Sequence, residues 1–290
     1  MRRNGAFSRV FMALVFLFLY APIFVLIAFS FNASKSRAVW SGFSLQWYRD
    51  LLRNAEIMDA LQTTLLVSIL AAVIATVAGT AAAIGFFSMK RRPRGICLAV
   101  NNIPMTNADI ITGVSLMLLF VFVGRVLAVP MTALSSWLNI TFGLSVHLSF
   151  EQGFLTLLLA HITFDIPYVI LSVLPKLRQL DPNIYEAAQD LGATSLYAFR
   201  RVVFPEIAPG VINGLMIAFT MSIDDFVISY FTAGHASTLS MVIYSMTRKK
   251  ISPEINALST LMFLAVLTLL LIINLRQIQQ ERVAAKKRPM

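Results

Sequence analysis

PKLRQLDPNIYEAAQDLGATSLYAFRRVVFPEIAP, Pro175 to Pro209, is a polar interval set between two apolar runs. It is too long for a simple helix–helix connection, so it should carry structure of its own. Asp181-Pro182-Asn183 offers a side-chain acceptor at a helix N-cap, followed by proline at the first helical position, where its missing N–H costs nothing. Gly192 supplies the usual C-terminal stop, since glycine enters the left-handed region without strain. These signals predict a short helix over Pro182–Leu191. A second start at Thr194-Ser195 leads through Phe199-Arg200-Arg201 to Phe204-Pro205, where proline is expected to end or bend the helix before the chain turns apolar at Gly210. The interval therefore reads as an exposed helical hairpin hung between two apolar helices.

The runs on either side are long enough to cross a bilayer. Of the 290 residues, 58% are hydrophobic and 13% charged, far from the roughly 45–50% and 25% of a soluble domain. About 20 apolar residues span a hydrocarbon layer of about 30 Å. Six spans are predicted: Val10–Phe31, Leu61–Met89, Ile96–Val123, Phe154–Leu174, Gly210–Phe231 and Ile255–Leu275. The fold class is thus all-α, a polytopic membrane protein with six transmembrane helices. No Gly/Ser-rich linker or internal repeat divides the chain, so residues 1–290 read as one membrane domain. The first run is too long for a signal-peptide core and its flank gives no convincing cleavage site, so it reads as an uncleaved span, with a kink expected at Pro22.

The net charge of +10 raises the question of nucleic acid, but Lys and Arg fall in short clusters between spans rather than on a basic domain. Three precede Val10, four lie in Lys90–Arg94, four in Pro175–Pro209 and five after Leu275, against eight in the alternate connections. Because Lys and Arg are retained on the cytoplasmic side, both termini and the hairpin are expected inside. The basic tail, residues 276–290, is expected to be partly disordered and to meet anionic lipid. Trp40, Trp47 and Tyr48 are expected to anchor an outer loop at headgroup level.

Within the spans, Ala71, Ala75, Gly79 and Ala83 form a small-residue stripe suited to close helix packing. Asn101, Asn102, Pro104, Thr106, Asn107 and Asp109 are too polar to face lipid. Asp109 is read as a capping or packing residue or as a substrate contact. Asp165-Ile166-Pro167-Tyr168 brings a carboxylate and a helix break into the fourth span, with His161 one turn earlier, so a hydrogen-bonded His161–Asp165 pair can form. Asp224 and Asp225 lie about 22 Å into the fifth span, on its outer half, and as helix neighbours should point about 100° apart. One can line a pathway while the other meets a neighbouring helix. The lone Cys97 leaves neither an intramolecular disulfide nor a cysteine-based zinc site. His147, His161 and His235 have no metal-ligand spacing, and no phosphate-binding G-x-x-x-x-G-K-[ST] or G-x-S-x-G elbow occurs. No cofactor is implied.

Glu186-Ala187-Ala188-Gln189-Asp190-Leu191-Gly192-Ala193, with Phe204-Pro205 following, resembles the EAA loop of permease subunits in binding-protein-dependent ABC importers. The resemblance runs from Tyr20-Ala21-Pro22 to Ser252-Pro253-Glu254-Ile255-Asn256-Ala257. It is nearest the spermidine/putrescine branch through Ser222-Ile223-Asp224-Asp225 and the Pro-Glu-x-Asn-Ala segment. It implies a MetI-like permease fold in the bacterial cytoplasmic membrane, with residues 175–209 as the coupling loop that docks on an ATPase subunit. Glu186, Ala187, Ala188, Gly192 and Pro205 then carry the coupling. The resemblance also implies a dimer of ABC ATPase subunits, a second homologous permease and an extracellular or periplasmic substrate-binding protein. On the residues alone, Ala187 and Ala188 permit close approach and Glu186 offers a charge-assisted acceptor.

The chain is accordingly expected to be a transport subunit with no nucleic-acid partner and no catalytic site. Asp224, Asp225, Asp165 and Asp109 are the substrate-pathway candidates. Two other readings stand beside polyamine import: a permease for ferric iron or an oxyanion, and a membrane-embedded enzyme using Asp165 with His161, or Asp224 with Asp225, in acid–base chemistry.

Overall fold

The computed structural model describes residues 5–35, 39–142, 150–181, 183–248 and 253–286. In chain order the helices are α1 (Gly5–Ser30), α2 (Gln46–Arg53), α3 (Ala55–Ser88), α4 (Arg91–Thr106), α5 (Asp109–Phe142) and α6 (Phe154–Gln179). There follow α7 (Ile184–Asp190), α8 (Ser195–Ala198), a π-helical turn over Phe199–Val203, α9 (Phe204–Asp224), α10 (Val227–Thr232), α11 (Leu239–Arg248) and α12 (Glu254–Lys286). Among the described residues six helical stretches are long and apolar enough to cross a membrane: Ser8–Ser30, Ala55–Ser88, Asp109–Thr141, Phe154–Gln179, Ser195–Asp224 and Glu254–Ile272. The all-α, six-span architecture matches the sequence reading.

Several boundaries differ for local reasons. The third span begins at Asp109 rather than Ile96, because the chain leaves helix at Asn107-Ala108 and the polar stretch before it forms the separate helix α4. α6 runs unbroken through Pro167 and on to Gln179, where a break near Pro167 was expected. Nor does Pro205 end the helix begun at Ser195. The π-helical turn puts the Phe204 N–H on the Phe199 carbonyl, and Pro205, which has no N–H to give, falls in the first turn of α9. The fifth span is interrupted at Asp225-Phe226 before α10 resumes it. α12 continues as helix to Lys286, into the basic tail.

The chain forms two compact units, Met1–Asp59 with Val242–Leu271 and Ala60–Met241 with Ile272–Met290. In the first, α1 is followed by a loop built around Asn32. Its side-chain amide donates to the Val39 carbonyl at 2.8 Å, and its carbonyl oxygen accepts from the Ser41 N–H at 2.9 Å. Trp47 is buried there, its indole N–H donating to the Asn32 carbonyl at 2.7 Å. Tyr48 meets the Ser30 hydroxyl at 2.7 Å. Trp47 is therefore a core residue of this loop and not an interfacial anchor, since its one polar atom is satisfied inside the protein.

In the second unit α3, α6 and α9 pack at close range. Ala72, Ala75 and Ala83 of α3 share a core with Val169, Ile170, Val173 and Leu177 of α6 and with Ile207 and Ala218 of α9. A methyl group on Gly79 would fall 2.8 Å from Val169, so the predicted small-residue stripe does bring two helix backbones together. On the α6–α9 contact, a methyl on Gly210 would meet the Ser172 carbonyl at 2.9 Å, and the Ser172 hydroxyl donates to the Gly210 carbonyl at 2.9 Å. α10 lies against α5 and α6 through Ile228, which shares a cluster with Phe120, Ala160 and Phe164.

Candidate functional site

The hairpin between α6 and α9 is the first candidate. The Asp181 carboxylate accepts the Asn183 N–H at 2.9 Å and so starts the turn; α7 itself begins at Ile184, and Pro182 lies outside the described residues. α7 ends as the sequence predicts. Gly192 has φ +88°, its N–H donates to the Gln189 carbonyl at 2.8 Å, and the Ala193 N–H reaches back to the Ala188 carbonyl at 3.1 Å. This pair of bonds is the Schellman motif, which satisfies the last carbonyls of the helix. The Gln189 amide donates to the Ser195 hydroxyl at 3.0 Å and ties the two arms of the hairpin.

Glu186, Ala187, Gly192 and Pro205 are exposed and Ala188 half-buried. Leu191 is 90% exposed and Leu196 76%, with Tyr197 also exposed. Sequence reasoning had not singled out these three. These large apolar side chains are left uncovered on a segment ordered by its own hydrogen bonds. Ala188, Leu191, Gly192, Ala193, Thr194, Tyr197 and Val202 line a cleft on this hairpin.

The second candidate is a chain of buried polar groups joining α6, α9 and α10. Asp165 and His161 lie on one face of α6, fully and almost fully buried. They do not pair directly as the spacing suggested; Ser222 of α9 stands between them. Its hydroxyl donates to Asp165 Oδ2 at 2.8 Å and lies 2.9 Å from His161 Nδ1. On the other side of the ring, His161 Nε2 lies 3.0 Å from the Ser229 hydroxyl of α10 and 3.7 Å from Asp225 Oδ2. Asp225 caps the first turn of α10, accepting the Ser229 N–H at 2.8 Å and the Ile228 N–H at 3.3 Å. This carboxylate ends one helix and starts the next, which is why the span breaks here.

The break separates the roles of the two neighbouring acids. Asp225 turns into the fold, its side chain 10% exposed, whereas Asp224, the last residue of α9, is exposed. Sequence reasoning named Ser222 only for the resemblance, gave it no role, and did not name Ser229. The signal that could have found them is the polar run Ser222-Ile223-Asp224-Asp225 with serine four residues beyond Asp225, a helix start inside an apolar span. Asp109 stands exposed in the first turn of α5, outside this hydrogen-bonded chain. His147 lies outside the described residues, and His235 is exposed.

Comparison with known proteins agrees with this architecture. The chain is 40% identical over 260 residues to the putrescine transport system permease protein PotI of Escherichia coli (strain K12), a match covering 89% of this chain and 85% of that one. It is 32% identical over 273 residues to the spermidine/putrescine transport system permease protein PotC of the same strain, covering 94% and 93%. Among solved structures, a bacterial ABC transporter involved in the import of the acidic polysaccharide alginate has a chain with TM-score 0.67 at 15% identity, covering 96% of each. A chain of the MetNI methionine ABC transporter has TM-score 0.51 at 16% identity, covering 85% of this chain and 100% of that one. These two likenesses concern the fold. The model of the binding-protein-dependent transport system inner membrane component family matches residues 75–289, and with relatives at this identity over nearly its whole length the chain belongs to that family of transport permeases.

Proposed function

We propose that this permease is half of the translocation pathway of an ATP-driven polyamine importer in the bacterial cytoplasmic membrane. The observation that carries the substrate class is the interrupted fifth span with Asp224 exposed at the end of α9. A helix C-terminus presents unpaired carbonyls and a partial negative charge, so a carboxylate there adds to a site already favourable to a cation. Polyamines carry ammonium groups along an apolar chain, and each can be met by such a carboxylate in passing. An oxyanion would be repelled from this place. Resemblance to permeases named for putrescine and spermidine supports the same choice.

The hairpin carrying Glu186, Ala187, Ala188, Gly192 and Pro205 is the docking element for an ATPase subunit, two of which serve a pair of homologous permeases. An external binding protein delivers the substrate. The bias of Lys and Arg supports both termini and the hairpin on the cytoplasmic side. Residues 1–290 act as one permease domain, with residues 175–209 as its coupling segment.

The test is uptake by proteoliposomes holding both permeases and the ATPase, with binding protein and ATP supplied on opposite sides. Putrescine or spermidine should be taken up, and ferric iron or an oxyanion should not. Uptake of iron or oxyanion instead, or turnover of a substrate without the ATPase, would overturn the reading. Cysteines at Ser41 and Lys287 check topology: an impermeant reagent added outside should label the first alone.

A further inference from the structure

The break in the fifth span is held from one side chain on another helix. His161 places one ring nitrogen 2.9 Å from Ser222, before the break, and the other 3.0 Å from Ser229, after it. The proton of Ser222 goes to Asp165 Oδ2, so this hydroxyl accepts from the imidazole Nδ1–H, which fixes the ring's orientation. Ser229 gives its backbone N–H to Asp225 Oδ2, and the same oxygen faces His161 Nε2 at 3.7 Å. All of these groups except Asp225 are buried below 5% exposure, where hydrogen bonds compete with little water. The imidazole is rigid, so the separation of its two nitrogens sets the separation of α9 and α10 across residues with no continuous helical bonding to do so.

We infer that His161 is the positioning residue of this permease's fifth span: it clasps Ser222 to Ser229 across the break and thereby holds Asp224 out of the fold. Its meaning for transport rests on the reading of Asp224 as a counter-charge; the geometry does not. Asp224 is joined on one side to a helix end and on the other to Asp225, whose extended backbone (φ −61°, ψ 127°) interrupts the helix. Without the clasp, α10 is free to turn relative to α9, and Asp224 no longer keeps one orientation.

The test uses the assembled complex in detergent, with Cys97→Ser and a reporter Asp224→Cys, and reads the rate of reaction with a charged thiol reagent. His161→Ala should lower that rate about fivefold, the effect of roughly one lost buried interaction. Ser229→Ala should lower it in the same direction, and His161→Gln, which keeps a donor and an acceptor, should restore part of it. A cysteine at Ser41 should react at an unchanged rate in every variant. In a Ser222→Ala/Ser229→Ala background, His161→Ala should add little to the change at position 224, because the two hydroxyls it clasps are already gone. An unchanged or raised rate at position 224 overturns the inference, as does a full His161→Ala effect in that double-alanine background. If His161→Ala does not assemble, Ser229→Ala decides by the same criterion. Polyamine uptake in Asp224→Asn is a separate arm: unaltered uptake there removes the counter-charge reading and leaves the clasp to be judged by labelling alone.

Discussion

Asp165 and His161, one turn apart on α6, meet through the hydroxyl of Ser222 on α9, at 2.8 and 2.9 Å. The two α6 side chains share a face but spend their polar atoms on the neighbouring helix instead of on each other. A single serine thus meets one polar atom of each of two buried titratable side chains, and together with the Ser172 hydroxyl on the Gly210 carbonyl it gives the α6–α9 contact a fixed register.

Ser222→Ala should therefore be costly. It leaves Asp165 Oδ2 and His161 Nδ1 unsatisfied in the interior, which amounts to about 1–3 kcal/mol per stranded group. Ser68 of α3 is the contrast. It is equally buried, yet its hydroxyl finds no hydrogen-bond partner among the described residues, so Ser68→Ala is expected to be neutral or slightly stabilising. Thermal unfolding of the two variants in one detergent should show a clear drop for the first only. Equal Tm values would mean that the buried chain contributes nothing to the fold.

Gly192→Val places a β-branched residue where φ is +88°. Nothing lies within 4 Å of the added Cβ, so the penalty is backbone strain of about 1–2 kcal/mol and not a clash. The expected result is an assembled complex whose α7 end has shifted, with ATP hydrolysis no longer matched to uptake. Gly192→Asn, which tolerates the left-handed region better, should retain more coupling. Wild-type uptake per ATP in Gly192→Val would remove this residue from the docking geometry.

Leu191 and Leu196 carry a sharper claim, because their exposure has no use within the chain. Leu191→Lys should keep the hairpin folded, since the side chain touches little of it, and should weaken retention of the ATPase subunit on purification by about 1–3 kcal/mol, fivefold or more in affinity. Unchanged co-purification would show that this face of the hairpin is not the docking face.

The six-span architecture was legible because apolar runs and helix length answer to the same bilayer thickness, and the end of α7 at Gly192 because a left-handed stop leaves a mark on residue type. Trp47 was misread since burial of an indole depends on whether a distant carbonyl, here that of Asn32, meets its N–H. The break at Asp225 was hidden inside a run of apolar residues, where hydropathy averages over the two serines and two acids that make it. His161 and Asp165 gave their shared face by spacing, but the intervening partner came from residue 222, and no local pattern specifies a contact across that distance in sequence.

Asp224 and Asp225 are adjacent in sequence and should fail differently when neutralised. Asp225 accepts two backbone N–H groups at the start of α10 and faces His161, so Asp225→Asn keeps the shape but loses the charge that strengthens those bonds. A cost of about 1–2 kcal/mol in stability is expected, seen as a lower yield of assembled complex. Asp224 is exposed at the end of α9 and caps nothing further along the chain, so Asp224→Asn should leave yield and Tm near wild type. Its effect should fall on transport: removing a carboxylate from the path of a dication is expected to lower polyamine uptake by about tenfold, the equivalent of ~1.4 kcal/mol of lost attraction in a partly wet site. Asp224→Glu, which keeps the charge on a longer side chain, should recover much of it. Measured side by side on assembled complexes, a yield defect in Asp225→Asn with an uptake defect in Asp224→Asn supports the division of roles. The reverse pattern would place Asp225 in the pathway and make Asp224 the structural residue, and the exposed end of α9 would then lose its assignment as the cation's counter-charge.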